Sequence, residues 1–270
     1  MDYGRWSSLP ELFFAQAAKL GDKPFLWGKR EGTYQPLTWS QVARRVKDLS
    51  RGLRAQGVRP GDRVLLVSEN RPEWFIADFA IMAAGAITVP AYTTNLPSDH
   101  RHVLTNSGAA LALGAAAALA QRLFPALAEA PGCRAVVCLD DPGELACARP
   151  VLRWDQLEAA GAALPDDVAE VVGRIRRTDT AIFIYTSGTG GVPKGVMLSH
   201  GNILSNCAAA HDLLVSLGLG DEVFLSFLPL SHSYEHTAGL CFPMSIGAQI
   251  YYAESVESLL TNLAEAKPTI

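Results

Sequence analysis

The chain has 270 residues, 49% of them hydrophobic and 19% charged, which is enough for a sizeable core and excludes a disordered, collagen-like or disulfide-stapled miniature protein. A net charge of −4 gives no basis for nucleic acid as a partner. No uninterrupted apolar stretch reaches the roughly 18 residues of a membrane span, and the start Met1-Asp2-Tyr3-Gly4-Arg5 lacks the basic and apolar segments of a signal peptide, so a cytoplasmic protein is expected.

Residues 39–56 carry Val42, Val46, Leu49 and Leu53 at helical spacing, with Thr38 as a candidate N-cap and Gly57 as a stop. Residues 63–67 form a short apolar run and read as a buried strand. Asn70 is placed to cap the next helix, which begins near Pro72 and runs to about Gly85. Trp74, Phe75 and Phe79 read as the core face of that helix, taken as amphipathic. The pattern then alternates: strand at 86–90, helix at 97–106, strand at 109–113, helix at 115–128, strand at 135–139. Residues 140–177, with Pro142, Pro150 and Pro165, read as a connecting region. A strand at 180–185, a glycine-rich loop, a short strand at 195–198 and a helix at about 201–217 follow. Alternation of this kind implies an α/β fold with parallel-rich sheets layered against helices.

The five cysteines lack CxxC spacing and a matching histidine pair, so they read as small buried hydrophobes in a reducing compartment, without a structural zinc. His100 and His102 are two residues apart, which does not give one helical face, and both read as surface groups. His200, before Gly201-Asn202, reads as a residue that orders the turn into a helix.

Charge is unevenly spread. Residues 1–100 hold 13 Lys and Arg against 10 Asp and Glu, while residues 101–270 hold 10 against 17. Lys194 is the only lysine or arginine between Arg177 and Lys267, and it lies in the segment Tyr185-Thr-Ser-Gly-Thr-Gly-Gly-Val-Pro-Lys-Gly195. Glycines let successive N–H groups turn toward one point, hydroxyls add donors or a magnesium contact, and lysine adds a positive charge; a polyphosphate suits such a loop. The Walker A pattern does not fit, because Lys194 follows Pro193 and precedes Gly195, and the dinucleotide fingerprint fails at Pro193. A glycine-rich hairpin without chemical role is the plain alternative.

Residues 185–196 resemble the signature of the adenylate-forming enzymes, [Y/F]-T-S-G-T-T-G-x-P-K-G-V, with Gly190 in place of the second threonine of the pair. Ser68-Glu-Asn-Arg-Pro-Glu-Trp74, Ala83-Ala-Gly85 with Val89-Pro90, and Leu228-Pro-Leu-Ser-His-Ser-Tyr-Glu-His236 are similar to blocks of long-chain fatty acyl-CoA synthetases. The resemblance implies that Thr186, Ser187, Gly188, Thr189, Gly190, Gly191 and Lys194 surround the ATP phosphates, with Thr189 assisting Mg2+. It implies His232 at the catalytic site, shaping the pocket between nucleotide and acid rather than moving a proton. Glu235 and His236 share its block, and the position of His236 varies among related enzymes. A Ser-His-Glu hydrolase triad within 231–236 is disfavoured, since no G-x-S-x-G elbow is present.

By the same resemblance, residues 1–57 with 206–270 form one sheet and helix unit and 58–205 the other. The implied reaction is ATP-dependent activation of a fatty acid to an acyl-adenylate and then to its coenzyme A thioester. Adenylation of an aryl or amino acid, and a non-catalytic nucleotide-binding module, are the alternatives. The protein would be cytoplasmic or peripheral at a membrane. Later family motifs, among them Tyr-Gly-x-Thr-Glu and a C-terminal domain with its lysine, are not found, so the sequence is expected to be an N-terminal portion that makes no acyl-CoA alone.

Overall fold

In the computed structural model, which describes residues 2–114, 117–186 and 192–270 apart from the side chains of Ala117 and Leu217, helix α1 (Leu9–Leu20) opens on the Ser8 hydroxyl, an acceptor for the Glu11 N–H. The hairpin β1 (Pro24–Arg30) and β2 (Thr33–Thr38) leads into α2 (Trp39–Ala55). Thr38 is the N-cap, as expected, and forms a reciprocal capping box with Gln41, while Gly57, at φ 83°, turns the chain out of the helix. Val42, Val46, Leu49 and Leu53 are fully buried.

The alternation continues with β3 (Arg63–Val67), α3 (Pro72–Ala83), β4 (Ile87–Pro90), α4 (Pro97–Ser107), β5 (Leu111–Gly114), α5 (Ala117–Ala128) and β6 (Val136–Cys138). Residues 140–177 are more than a connection. They contain β7 (Val151–Arg153), α6 (Trp154–Ala162) and α7 (Val168–Val172), and β7 adds a parallel strand beside β6. Three strand residues flanked by proline offer too short a run for period-2 alternation to show. Then come β8 (Thr180–Thr186), β9 (Lys194–Ser199), α8 (His200–Leu214), β10 (Val223–Ser226), α9 (Ser233–Glu235), a π-helical stretch His236–Cys241, α10 (Phe242–Ile246), β11 (Gln249–Tyr252) and α11 (Leu259–Ala266).

Two sheets result. The smaller has the order β10-β11-β1-β2, with only β2 antiparallel to its neighbour. The larger has the order β7-β6-β5-β3-β4-β8-β9, with only β9 antiparallel. This is a mixed α/β fold of parallel-rich sheets flanked by helices. From β3 the chain moves to β4 on one side and then to β5 on the other. Such a switch opens a crevice beyond the carboxyl ends of the strands, where α/β sheets receive their ligands.

Helix α3 is where the sheets meet. Every residue from Pro72 to Ala83 is buried, so the helix is enclosed all round rather than amphipathic. Phe75 and Phe79 stack at 4.2 Å, and Phe25 stacks on Trp39 at 3.5 Å, so rings from α3, β1 and α2 share one core. Apolar groups of both sheets, among them Leu26, Ile250, Leu66 and Ile182, belong to one continuous cluster. The sequence shows α3 as apolar but cannot show that it has no exposed face.

Candidate active site

The β8–β9 hairpin lies at the carboxyl edge of the larger sheet. Its ladder closes with Tyr185 opposite Gly195 and Thr186 opposite Lys194. Thr186 and Lys194 are thus brought together, both exposed, and Lys194 has no carboxylate partner among the described residues. An exposed lysine without a counterion among the described residues, set beside the carboxyl end of β8, itself parallel to β4, suits a phosphate-bearing ligand. Ser187, Gly188, Thr189, Gly190 and Gly191, which the sequence assigns to the same phosphates, lie outside the described residues. Gly195 packs closely on the Tyr185 ring, where a Cβ would stand 3.1 Å from the nearest ring atom. The Tyr185 hydroxyl donates to Asn106 Oδ1 at 2.7 Å.

The second part of the site is the turn after β10. His232 is exposed and caps α9, its Nδ1 accepting from the Tyr234 N–H at 3.2 Å. The turn is fixed from the other sheet by Asn70. Its Nδ2 donates to the Leu228 carbonyl at 2.7 Å and to Ser226 Oγ at 3.2 Å, and its Oδ1 accepts from the Leu230 N–H at 3.2 Å. Asn70 is therefore not the cap of α3. The cap position falls to Arg71, which makes no side-chain capping bond, because the Asn70 amide is engaged across the cleft. Local spacing suggests a cap, and only the tertiary arrangement shows the cross-link.

Behind His232 lie three buried polar groups. Glu235 is 4% exposed, its Oε1 accepts from Ser226 Oγ at 2.7 Å, and burial raises its carboxyl above the usual range. Gly239 makes room for that carboxylate, since a Cβ at 239 would lie 2.3 Å from Oε1. His236 Nε2 meets Asp78 Oδ2 at 2.9 Å, with both residues almost wholly buried. Asp78, inside an apolar-looking helix, is a polar group that the sequence reading missed; only its charge amid hydrophobic neighbours marks it. The π-helical stretch begins at His236, a departure that often accompanies functional sites.

Beside the turn after β10, a cavity of about 190 Å³ is lined by Ser68, Asn70, Tyr92, Phe227, Leu230 and Ser231 among others. It gathers the carboxyl ends of strands from both sheets. His200 accepts the Leu9 N–H through Nδ1 at 3.3 Å and is 2% exposed, consistent with an ordering role at the start of α8. The surface reading of His100 and His102 needs correction. His100 is fully buried with neither ring nitrogen bonded, and His102 Nε2 lies 2.8 Å from the Pro193 carbonyl oxygen beside the hairpin. Two-residue spacing on a helix points such groups in different directions, but both can still be covered by neighbours. Cys133, Cys138, Cys207 and Cys241 are buried as expected, whereas Cys147 is half-buried.

Among relatives, the long-chain-fatty-acid–CoA ligase FadD15 of Mycobacterium tuberculosis is 33% identical over 243 residues, covering 89% of this chain and 39% of that protein. The Drosophila melanogaster long-chain-fatty-acid–CoA ligase heimdall is 28% identical over 273 residues, covering 97% of this chain and 40% of its own length. The chain thus spans about two-fifths of the curated relatives it matches. In fold it superposes on the A-PCP didomain of the carboxylic acid reductase from Segniliparus rugosus in complex with AMP, with a TM-score of 0.83 at 18% identity, covering 98% of this chain and 42% of that one. Residues 13–270 match the family model described as AMP-binding enzyme, and the chain belongs to that family.

Proposed function

We propose that the protein activates a long-chain fatty acid with ATP as an acyl-adenylate and then forms the coenzyme A thioester. The observation that carries this reading is the hairpin that sets Thr186 beside Lys194, which has no carboxylate partner among the described residues, at the carboxyl edge of the larger sheet. The relatives whose names specify long-chain fatty acids support the choice of acid. In this reading Thr186 and Lys194, with residues 187–191, bind the two outer phosphates of ATP while the acid attacks the innermost phosphorus. Lys194 offsets the charge that gathers on the departing pyrophosphate, and the loop contributes by positioning. His232, next in the chain to the cavity-lining Ser231, orients the carboxylate of the acid in this reading. Mg2+ carried by the nucleotide would neutralise further phosphate charge, with Thr189 its proposed contact.

Acid-dependent incorporation of labelled pyrophosphate into ATP by the complete protein tests the proposal. Exchange with palmitate is expected. Exchange only with an aryl or amino acid would move the assignment to another carboxylate, and ATP binding without exchange for any acid would leave a nucleotide-binding module.

A further inference from the structure

The last ladder pair of the β8–β9 hairpin is Thr186 with Lys194, Pro193 lies just outside it on the returning arm, and β9 is the outer strand of its sheet. Strand pairing therefore holds the returning arm from one side only, and Pro193, which has no N–H, cannot extend the ladder. Both arms are nevertheless tied to one element. On the outgoing arm, Tyr185 donates its hydroxyl to Asn106 Oδ1 at 2.7 Å. On the returning arm, the Pro193 carbonyl meets His102 Nε2 at 2.8 Å. A carbonyl oxygen can only accept, so His102 carries its proton on Nε2 in this contact. The His102 ring also stands edge-on to Tyr185, with centroids 5.9 Å apart and planes at 87°. His102 and Asn106 are four residues apart in α4 and so lie on one face of that helix.

We propose that His102 and Asn106 are positioning residues for phosphate binding: α4 grips both arms of the hairpin, and the His102 N–H to Pro193 sets where Lys194 stands. This rests on the reading of the hairpin as the phosphate site. The residue after Pro193 is the one whose charge matters, so freeing that carbonyl displaces Lys194 without removing any group that touches substrate. The contribution of His102 through its N–H can be separated from that of its ring. His102→Phe keeps the ring against Tyr185 and removes the donor, whereas His102→Gln keeps an N–H donor and removes the ring.

In the complete protein, His102→Phe is expected to raise the KM for ATP about 5- to 10-fold, the scale of one lost hydrogen bond, with the KM for the acid unchanged. His102→Gln should stay within about 2-fold of the unmodified protein on the same scale. The reverse order, Phe tolerated and Gln impaired, would show that the ring matters by packing and would overturn the proposal, as would equal rises in both KM values. Amide hydrogen exchange at 194–196 gives a readout independent of turnover: faster exchange confined to the hairpin in His102→Phe is expected, and unchanged exchange would refute the grip. If the unmodified protein shows no ATP-dependent exchange with any acid, the functional reading fails, while the amide measurement still decides whether α4 holds the hairpin.

Discussion

Glu235 shows how a single carboxyl can be costly and useful together. Burial raises its protonation range, and the Ser226 hydroxyl and the Phe227 N–H only partly counter this. A carboxyl that holds its proton more tightly when folded contributes stability below the ordinary carboxylate range and loses it as pH rises through the folded value. Glu235→Gln keeps an acceptor for Ser226 without a charge, so its urea stability should fall less than that of the unmodified protein between pH 5 and pH 8. Glu235→Ala, which strands the Ser226 hydroxyl and leaves a void, should cost about 1–3 kcal/mol. Equal losses for Gln and Ala at pH 8 would contradict this account. Lys194 is the opposite case, an exposed side chain with little packing. Lys194→Ala should leave the thermal midpoint within about 1 °C and weaken ATP binding about 10- to 100-fold by calorimetry, the scale of a charge-assisted contact.

Among the elements, the α2–α6 crossing is the least forgiving. A Cβ at Gly161 would fall 1.8 Å from the Asp48 carbonyl oxygen, and one at Gly52 would fall 2.3 Å from that of Leu157. Both obstacles are backbone, which cannot swing aside. Gly161→Ala should therefore destabilise by about 3 kcal/mol or more in chemical denaturation, at the upper end of overpacking effects; a loss below about 1 kcal/mol would mean that the helices separate freely. This contact also marks the limit of what was legible. Helix α2, its cap and its buried stripe follow from spacing, as do β3, β4 and β8 from their apolar runs. The partner α6 hides in a proline-flanked region, and its glycine has meaning only beside another helix. The β8–β9 pair was legible because two strand-like runs flank a glycine-rich segment. Asn70, Asp78, His102 and Asn106 were not, since each acts on a partner far away in sequence.

For the molecule as a whole, acid is the expected weak point. Burial pushes the His100 ring down to about 4 against the small opposing pull of Asp99, with Arg122 adding to the shift, and burial pushes His200 to about 4 against Asp179 and Asp78. Rings kept neutral in the fold but free to protonate when unfolded cost stability as pH falls from about 6.5 toward 4. At pH 5 each ring accounts for a loss of about 2 kcal/mol relative to pH 7, and His100→Leu should recover about that much of the difference in urea titrations. An unchanged difference would rule out His100 as a source.

The smaller sheet carries a consequence of another kind, in time. Trp27 donates its indole N–H to Gln249 across 222 residues of sequence, and β1 cannot pair with β11 until that second strand exists. At about 5–20 residues per second, synthesis leaves the β1–β2 hairpin without its partner strand for roughly 10–45 s. Phe13 meets Phe25, Trp39, Phe75 and Phe79, all within residues 13–79, so these ring contacts need no residue of β11.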